Sequence, residues 1–299
     1  MKILLLGKNG QLGWELQRSL SVLGPLTALG SSDVTPCGNF LDVPALRATV
    51  RTLQPDVIVN ASAYTAVDRA ETDTANARVV NTEAVAALAD EAKTINALFV
   101  HFSTDYVFDG SGSVAWTESD TPNPLNVYGL TKWHGEQAIQ SSGCRHWIFR
   151  TSWVYGSRGK NFARAILKAA ADKKQLRVIN DQFGAPTGAD LLADCTLAVL
   201  GRAGDATIPD GVFHLAASGE TTWFDYASFL VQRARERGIP LTLEEIVPVP
   251  SSEYSTPARR PLNSRLDTSL FRSTFNLHLP HWQVGVSRML EEFFPSRNY

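Results

Sequence analysis

Short apolar runs alternate with amphipathic stretches along the first half of the chain. Each run is short enough to be a buried strand, and the stretches between them repeat apolar residues at the spacing of a helix that packs one face on a core. Strands that alternate with helices form parallel sheets. The pattern therefore predicts an α/β fold, a Rossmann-like doubly wound parallel sheet, with strands over residues 2–7, 25–29, 39–42, 55–60, 97–103 and 146–150.

A glycine-punctuated turn follows the first predicted strand. It reads Gly7-x-x-Gly10-x-x-Gly13 and leads directly into an amphipathic stretch. Glycines allow the tight turn and let backbone N–H groups approach a pyrophosphate at the helix N-terminus. The spacing differs from the usual G-x-G-x-x-G fingerprint, but the strand before it and the helix after it are the required context. The turn predicts a dinucleotide site in which the side chain of Gln11 and the backbone of Leu12 lie beside the phosphates.

Two further stretches are candidates for contact with the dinucleotide. The loop after the strand at 55–60 contains Ala63, Tyr64 and Thr65, in a stretch of small residues that lets the backbone come close to a ligand. Asp42 is well placed as an N-cap of the helix that follows it and is also a candidate for contact with the adenine. One role does not exclude the other, so both stay open.

The choice between NAD and NADP depends on the end of the second strand in such a fold. An acidic residue there bonds the ribose 2′-hydroxyl of NAD, whereas NADP enzymes leave the position open, often with an arginine nearby. The second predicted strand ends at Gly30-Ser-Ser-Asp33, where the serines would accept either form and Asp33 lies slightly late. The sequence does not decide the cofactor, and we favour NADPH with NADH tolerated.

Tyr128 and Lys132 lie four residues apart, which places them on one face of a helix with about 5–6 Å between their Cβ atoms. A cation within about 4–6 Å lowers the pKa of a phenol, which is otherwise about 10. The pair is therefore a candidate general acid/base. Upstream, Thr104 and Asp105 follow the strand at 97–103, and open α/β sheets bind their ligands at the carboxyl ends of their strands.

The alternation of strands and helices stops in the middle of the chain. Beyond it the sequence predicts helices separated by irregular loops, with a strand at 211–216 that would return to the main sheet. We therefore predict a dinucleotide-binding Rossmann domain over residues 1–155 and about 205–222. A smaller C-terminal substrate-binding lobe would comprise about 156–204 and 223–299.

The composition narrows the range of partners. The chain has 299 residues, a formal net charge of -2 and no basic cluster, so it lacks the electrostatic footprint of a nucleic-acid-binding protein. No apolar run approaches the roughly 18 residues of a membrane span, and the opening residues do not form a signal peptide. These features predict a cytoplasmic enzyme that acts on a small molecule, with neither nucleic acid nor a membrane as partner.

Several motifs together resemble one enzyme superfamily. The glycine turn, Ser103-Thr104-Asp105 and Tyr128-x-x-x-Lys132 are similar to the motifs of the extended short-chain dehydrogenases/reductases. The similarity is closest to the dTDP-4-dehydrorhamnose reductase family, spans nearly the whole chain and weakens after about residue 241. It is carried by Ser103-Thr-Asp-Tyr-Val-Phe-Asp-Gly110, Tyr128-Gly-Leu-Thr-Lys132, Arg150-Thr-Ser-Trp-Val-Tyr-Gly156 and Asp181-Gln-Phe-Gly-Ala-Pro-Thr187.

The resemblance implies a reaction, the last step of dTDP-L-rhamnose synthesis. In it, hydride passes from NAD(P)H to C4 of dTDP-4-dehydro-β-L-rhamnose. In bacteria the product feeds cell-surface polysaccharide such as lipopolysaccharide O-antigen. The resemblance also implies a homodimer and, in some members, Mg²⁺ at the subunit contact, although no metal-ligand spacing in the sequence locates such an ion.

Each candidate residue takes a role in the implied reaction. Tyr128 would donate a proton to the ketone oxygen. Lys132 would hold the pKa of Tyr128 down and hydrogen-bond the nicotinamide ribose. Thr104 would donate a second hydrogen bond to the oxygen, an interaction typically worth about 2.7–4 kcal/mol. Asp105 would accept a hydrogen bond from a sugar hydroxyl, and Trp153 would either offer a flat face to the sugar or be a core indole.

The pyrophosphate of a sugar nucleotide needs a cation or backbone amides to bind it. Arg259 and Arg260, in a loop near the C-terminus, are candidates for this contact. The alternative is that both are simply solvated, which is the more common state of two arginines in a surface loop.

Two other functions remain open on the same scaffold. A nucleotide-sugar epimerase or dehydratase would retain its nicotinamide cofactor, and dehydratases typically have further acidic residues after the threonine, where this chain has Asp105 and then Tyr106. A non-catalytic regulatory subunit would bind a dinucleotide without turnover. It would have no need for Tyr128, Lys132 and Thr104 together, so the sequence favours the reductase.

Overall fold

The computed structural model describes residues 1–294, so residues 295–299, which the sequence analysis assigned to the second lobe, lie outside the described residues. The strands are β1 (Ile3–Leu6), β2 (Leu26–Leu29), β3 (Val57–Asn60), β4 (Leu98–Thr104), β5 (His146–Thr151), β6 (Val154–Tyr155), β7 (Gln175–Ile179), β8 (Phe183–Gly184), β9 (Thr187–Gly188), β10 (Gly211–His214), β11 (Thr221–Thr222) and β12 (Glu245–Val249). The helices are α1 (Gln11–Leu20), α2 (Val43–Leu53), α3 (Val67–Ala70), α4 (Thr74–Arg78), α5 (Ala84–Thr94), α6 (Val127–Ser142), α7 (Phe162–Asp172), α8 (Ala189–Leu200), α9 (Trp223–Glu236), α10 (Ser269–Phe275) and α11 (Trp282–Phe293). Within residues 1–294, no helix combines the length and the apolar character needed to cross a membrane.

The centre of the fold is a six-stranded sheet in the order β10-β5-β4-β3-β1-β2, in which every neighbouring pair is parallel. This confirms the predicted Rossmann-like α/β fold, and β10 returns to the sheet edge beside β5 as the apolar run at 211–216 indicated. Residues 39–42 form a turn instead of the predicted strand. The backbone N–H of Asp42 donates to the carbonyl oxygen of Asn39, which bends the chain into the start of α2.

Helices cover both faces of the sheet. On one face, α2, α5 and α6 bury leucine, valine and alanine side chains against β1, β3, β4 and β5. On the other face, α1 and α8 pack side by side, and α10 adds Phe271 and Phe275 beside Phe149 of β5. Both α8 and α10 lie within the ranges predicted for the second lobe, 156–204 and 223–299, but their apolar faces pack on the sheet. The strand–helix rhythm along the chain could not reveal these long-range contacts.

A second apolar cluster forms the smaller lobe. It consists mainly of side chains from α7, α9 and α11 with β7, which pairs with β12 in parallel. Tyr226 of α9 packs edge-on against Trp282 of α11, with ring centroids 5.6 Å apart. The lobe follows β6 along the chain, so it lies beyond the carboxyl end of β5, where the loops of the sheet also emerge.

Candidate active site

The glycine turn between β1 and α1 has the shape of a phosphate cradle. Gly7 has φ +91°, and a Cβ there would lie 2.7 Å from the backbone of Ala61. A Cβ on Gly13 would lie 2.0 Å from the Gly7 carbonyl oxygen, so neither position admits a side chain. Gly10 precedes α1 without a side-chain cap, and the first turn has no acidic residue. The free N–H groups of that turn therefore fit an anionic pyrophosphate.

Gln11 joins the glycine turn to the loop after β6. Its Oε1 accepts a hydrogen bond from Asn161 Nδ2 at 2.9 Å, and the same amide donates to the Gly156 carbonyl oxygen at 2.7 Å. Leu12 packs its side chain on the sheet core, so its backbone is the part available to a phosphate. The structure thus places both residues at the cradle, and their contact with a cofactor stays a prediction.

An ion pair that the sequence analysis missed lies at the end of β2. The Asp33 carboxylate accepts hydrogen bonds from the Gly30 N–H at 2.7 Å and from Lys8 Nζ at 2.6 Å. Both contacts lower the pKa of Asp33, with Lys8 as the larger cause. A lysine between the first two glycines of the turn was the available signal, because it lies next to the strand end that distinguishes NAD from NADP.

The loop after β3 lies against α6. The Tyr64 backbone N–H donates to Asn81 Oδ1 at 2.8 Å, and Asn81 Nδ2 donates to the Tyr64 carbonyl oxygen and to the Thr131 hydroxyl. Through these bonds the buried Asn81 side chain connects the loop that contains Ala63 and Thr65 to Thr131, the residue before Lys132. The predicted contact of that loop with the cofactor stays a prediction.

Asp42 has the capping role. Its Oδ1 accepts from the Ala45 N–H at 3.1 Å, and Pro44 occupies the first turn of α2. The exposed side chain is engaged by its own helix, so contact with adenine stays a prediction.

Thr104 and Asp105 lie at the carboxyl end of β4, as predicted. The Thr104 hydroxyl donates to Asp105 Oδ1 at 3.1 Å and accepts from the Tyr106 N–H at 3.1 Å. The other carboxylate oxygen, Oδ2, is buried and has no hydrogen-bond partner within the described part of the chain. Burial raises the pKa of Asp105 to about 7. The hydroxyls of Ser264 and Thr104 have the opposite, smaller effect and lower this pKa. An unpaired buried acceptor of this kind is suited to bind a ligand hydroxyl.

Tyr128 is in the first turn of α6, which begins after the N-cap Asn126. A Cβ on Gly129 would lie 2.1 Å from the Tyr106 carbonyl oxygen, so this glycine lets the helix approach the end of β4. The Tyr128 and Tyr106 rings pack edge to face with centroids 5.7 Å apart. Burial raises the pKa of Tyr128 to about 12, although the neighbouring Thr104 hydroxyl lowers it. Tyr128 is therefore a protonated phenol at neutral pH.

Lys132 follows one turn later and is buried, with a 1% exposed side chain. Its Nζ donates to the Phe102 carbonyl oxygen at 2.6 Å and lies 3.0 Å from Nε2 of His101. Burial lowers the pKa of Lys132 to about 8. Burial raises the pKa of Tyr128, Thr104 lowers it and Asp105 raises it, and the lowering by Lys132 stays a prediction. His101 was missed because it lies inside an apolar strand.

A cavity of about 1200 Å³ opens between the two lobes. Tyr106, whose ring packs against that of Tyr128, lines it from the sheet side, and Trp223 lines it from the smaller lobe. Trp153 stacks on Trp223 with ring centroids 3.6 Å apart and an interplanar angle of 11°. One face of the Trp153 indole is therefore covered, and Trp223 is the tryptophan in contact with the cavity.

The cavity is also lined by basic side chains. Arg259 and Arg260, the two predicted candidates, both contact it, together with Lys173 and Arg177. Arg260 pairs with Asp68 at 2.8 Å. Arg259 is exposed and makes no ion pair with any residue in the range 1–294.

No group of three or more histidine, cysteine, aspartate or glutamate side chains within residues 1–294 is arranged to hold a metal ion. The described residues therefore give no support to the Mg²⁺ that the resemblance implied.

The parallel sheet, the glycine turn and the Thr104–Tyr128–Lys132 arrangement at the carboxyl edge define an extended short-chain dehydrogenase/reductase. The family model described as RmlD substrate binding domain matches residues 1–294, and the chain belongs to that family.

Several similar proteins share one name. The chain is 52% identical over 294 residues to a dTDP-4-dehydrorhamnose reductase of Escherichia coli K12, covering 98% of each chain. It is 44% identical to one of Burkholderia thailandensis, over 96% of this chain and 97% of that protein. Among solved structures, a dTDP-4-dehydrorhamnose reductase of Clostridium acetobutylicum has a TM-score of 0.89, 31% identity and coverage of 98% and 99%. One from Bacillus anthracis, in complex with NADP, has a TM-score of 0.86, 27% identity and coverage of 98% and 100%.

Proposed function

We propose that this protein reduces the C4 ketone of dTDP-4-dehydro-β-L-rhamnose to dTDP-L-rhamnose with NADPH. One observation carries the proposal. Thr104 and Tyr128, a hydroxyl and a protonated phenol, meet at the carboxyl edge of a dinucleotide-binding sheet, next to a cavity large enough for a nucleotide sugar. The names of the similar proteins support the choice of substrate, and the NADP in the Bacillus anthracis structure supports the choice of cofactor.

The dinucleotide fits the chain because Gly7 and Gly13 leave room for it and the first turn of α1 offers free N–H groups. When bound, NADPH supplies the hydride that adds to C4. Negative charge then develops on the ketone oxygen. Tyr128 gives its proton to that oxygen, and the Thr104 hydroxyl turns from Asp105 Oδ1 to donate its single hydrogen bond to it. The products are an alcohol on the sugar and a phenolate that must be reprotonated before the next turnover.

The remaining roles follow from charge and position. Lys132 would bind the nicotinamide ribose and stabilise the Tyr128 phenolate after proton transfer. The unpaired Oδ2 of Asp105 would accept a hydrogen bond from a sugar hydroxyl. Of the arginines that line the cavity, Arg259 has no ion pair within the described chain, so it is our candidate for binding the pyrophosphate. Trp223 lines the cavity and covers Trp153, so Trp223 is our candidate for contact with the substrate.

The wider biological setting is also a proposal and rests on the family resemblance. We propose a cytoplasmic homodimer whose product feeds lipopolysaccharide O-antigen.

The proposal is tested by following nicotinamide absorbance with dTDP-4-dehydrorhamnose generated in the assay. We expect stoichiometric NADPH oxidation that depends on the sugar, and slower oxidation of NADH. A dinucleotide that stays bound until denaturation, with no net oxidation, would indicate an epimerase or dehydratase. Weak reversible binding of NADPH without turnover would indicate a regulatory subunit.

The Lys8–Asp33 pair should set the preference for NADPH over NADH. Lys8, which pairs with Asp33 at 2.6 Å, would bind the 2′-phosphate, and Asp33 would compete for it. We expect Lys8→Gln to lower the ratio of kcat/KM for NADPH to that for NADH by about tenfold, the value of a charge-assisted hydrogen bond. Asp33→Asn should raise the same ratio by at most about fivefold, because the pair is partly exposed. Equal ratios in wild type and both variants would place the 2′-phosphate elsewhere.

The ionised Asp105 side chain should lower the stability of the folded protein while it favours substrate binding. Its folded-state pKa of about 7 lies above the ordinary 3.8, so folding disfavours its ionised form. The resulting decrease in the free energy of unfolding is absent at low pH, grows as pH rises from 3.8 to about 7 and reaches its full value above about pH 7. We expect Asp105→Asn to have a higher Tm than wild type at about pH 8, with the difference shrinking towards about pH 5.

The same variant should raise KM for the sugar about tenfold, because a neutral amide replaces a carboxylate acceptor. Thermal unfolding across pH and steady-state kinetics measure the two effects. A Tm difference that does not change with pH would contradict the assigned pKa, and an unchanged KM would remove Asp105 from the sugar site.

A further inference from the structure

The loop between β6 and α7, residues 156–161, lies against the first turn of α1. A Cβ on Gly159 would lie 3.2 Å from Cγ of Gln11, so this glycine lets the loop approach the Gln11 side chain closely. In the same loop, the Arg158 guanidinium lies 3.5 Å from the centre of a Trp14 ring. The loop therefore packs on the helix that follows the glycine turn, although it leads into the smaller lobe.

The side chain of Asn161, at the end of this loop, has a fixed orientation. Asn161 is the N-cap of α7, and its Oδ1 accepts a hydrogen bond from the Arg164 backbone N–H at 3.0 Å. Because a backbone N–H can only donate, the other end of the amide is its NH₂ group. This group donates to the Gly156 carbonyl oxygen at 2.7 Å and to Gln11 Oε1 at 2.9 Å, so both of its hydrogens are used.

Asn161 in turn fixes the amide of Gln11. An NH₂ group can only donate, so the atom of Gln11 that faces it is the oxygen, and Nε2 lies on the opposite side of the amide. Gln11 is half-buried, and its Nε2 donates to no residue in the range 1–294. The amide is therefore held with two N–H donors, and not an oxygen, on the side away from the loop.

The direction of this amide matters because Gln11 is the first residue of α1. The first turn of this helix has free N–H groups and no acidic residue, which suits an anionic pyrophosphate. A side-chain NH₂ group at the same place adds further donors, whereas a side-chain oxygen is an acceptor and would oppose the phosphate oxygens. Without a partner for its oxygen, the Gln11 amide is free to rotate and to present either end.

We propose that Asn161 is a positioning residue for the cofactor: it holds the Gln11 amide so that the NH₂ group of Gln11 donates to the pyrophosphate. The inference rests on the dinucleotide site of the proposed function, because Asn161 acts only through Gln11. The helix that Asn161 caps also lines the cavity, with Phe162 and Lys173 among the lining residues. One side chain of the smaller lobe thus connects the phosphate cradle to the wall of the cavity.

Asn161→Ser separates the two roles of this side chain. Serine is also a good N-cap, so α7 keeps an acceptor for the Arg164 N–H. Its hydroxyl is too short to reach Gln11 while it caps the helix, so the Gln11 amide loses its partner. We expect the NADPH dissociation constant, measured by fluorescence titration, to rise about tenfold, the value of a charge-assisted hydrogen bond. The NADH dissociation constant should rise by the same factor, because the two cofactors share the pyrophosphate.

A double-mutant cycle with Gln11→Ala tests whether Asn161 acts through Gln11. Gln11→Ala removes the amide and should itself raise the NADPH dissociation constant about tenfold. In that background, adding Asn161→Ser should change the constant by less than about twofold, because no amide is left to orient. Independent effects that multiply to about 100-fold would overturn the proposal, and so would wild-type affinity in either single variant.

Thr222→Ala is the control for a general loss of structure. It removes the N-cap of α9, another helix of the smaller lobe, and leaves the 156–161 loop untouched. NADPH affinity should stay at the wild-type value in this variant. Equal weakening in Thr222→Ala and Asn161→Ser, in proportion to their lowered Tm, would reduce Asn161 to a structural residue.

Steady-state kinetics give a second readout. The pyrophosphate is bound in the same way before and during hydride transfer, so its contacts contribute uniform binding. Asn161→Ser should therefore raise KM for NADPH and leave kcat close to the wild-type value. A fall in kcat with an unchanged KM would contradict a role at the phosphates.

The outcomes separate this inference from the proposed function. If the wild type binds NADPH but does not reduce the sugar, the proposed function fails, and the cycle of NADPH dissociation constants still tests Asn161. If the wild type reduces the sugar and the cycle shows independent effects, the role of Asn161 fails alone. A wild type that binds neither NADPH nor NADH would overturn both.

Discussion

Replacing Tyr128 with phenylalanine is expected to lower kcat by about 10²- to 10⁴-fold, the usual contribution of a positioned proton donor. The variant loses only the phenolic O–H that would protonate the ketone oxygen. Its ring still packs edge to face on Tyr106, so the first turn of α6 keeps its place. The NADPH dissociation constant should therefore stay close to the wild-type value, which fluorescence titration can measure beside the steady-state rates.

Tyr226→Phe is the matched control for this change. Tyr226 is 1% exposed in the core of the smaller lobe, and its hydroxyl has no hydrogen-bond partner among residues 1–294. Its removal deletes the same group without touching the proposed site, so kcat should be unchanged. Comparable turnover by wild type and Tyr128→Phe would remove Tyr128 as the proton donor, and an equal fall in both variants would indicate a general effect of lost hydroxyls.

Lys132→Met should weaken both turnover and cofactor binding. The charge-assisted hydrogen bond to the ribose is lost, which corresponds to a rise of about 10- to 150-fold in the NADPH dissociation constant. Turnover falls as well, because no cation remains to stabilise the Tyr128 phenolate. The variant also leaves the Phe102 carbonyl oxygen and Nε2 of His101 without the lysine as a partner, which lowers the free energy of unfolding. Methionine has a similar length and no charge to desolvate, so its burial offsets part of this loss.

Lys93→Met is the control, since Lys93 lies exposed near the end of α5. It should retain wild-type kinetics and affinity. An effect of Lys132→Met on neither turnover nor NADPH affinity would refute its double role. A fall in kcat with an unchanged dissociation constant would limit Lys132 to the chemistry of Tyr128. Thermal unfolding of each variant separates these results from a general loss of structure.

The local features of this protein could be predicted from its sequence. The apolar runs that became β1, β3, β4 and β5 each lie between turn residues, so their length and burial are encoded within a few positions. The glycine turn is equally local, because a side chain at Gly13 would clash with the backbone of Gly7, six positions earlier in the same turn. Thr104 and Tyr128 come together because one ends a strand and the other begins the helix that packs on that end. The carboxyl edge of a parallel sheet is thus specified by the order of elements.

What the sequence did not reveal depends on residues far apart in the chain. Lys132 Nζ contacts the Phe102 carbonyl oxygen and the ring of His101, both in β4, and nothing near Lys132 in the sequence indicates these partners. Trp223 lies 70 positions after Trp153, yet it covers that indole and lines the cavity in its place.

The sequence by itself determined the sheet, the glycine turn and the residues at the carboxyl edge of the sheet, because short-range patterns of burial and turn geometry specify them. Only the tertiary structure decided the partners of the buried lysine, the partner of Asp33 and the helices that pack on the sheet. These properties arise from hydrogen bonds and apolar contacts between distant segments. They exist only after the chain has folded and excluded water from the groups involved.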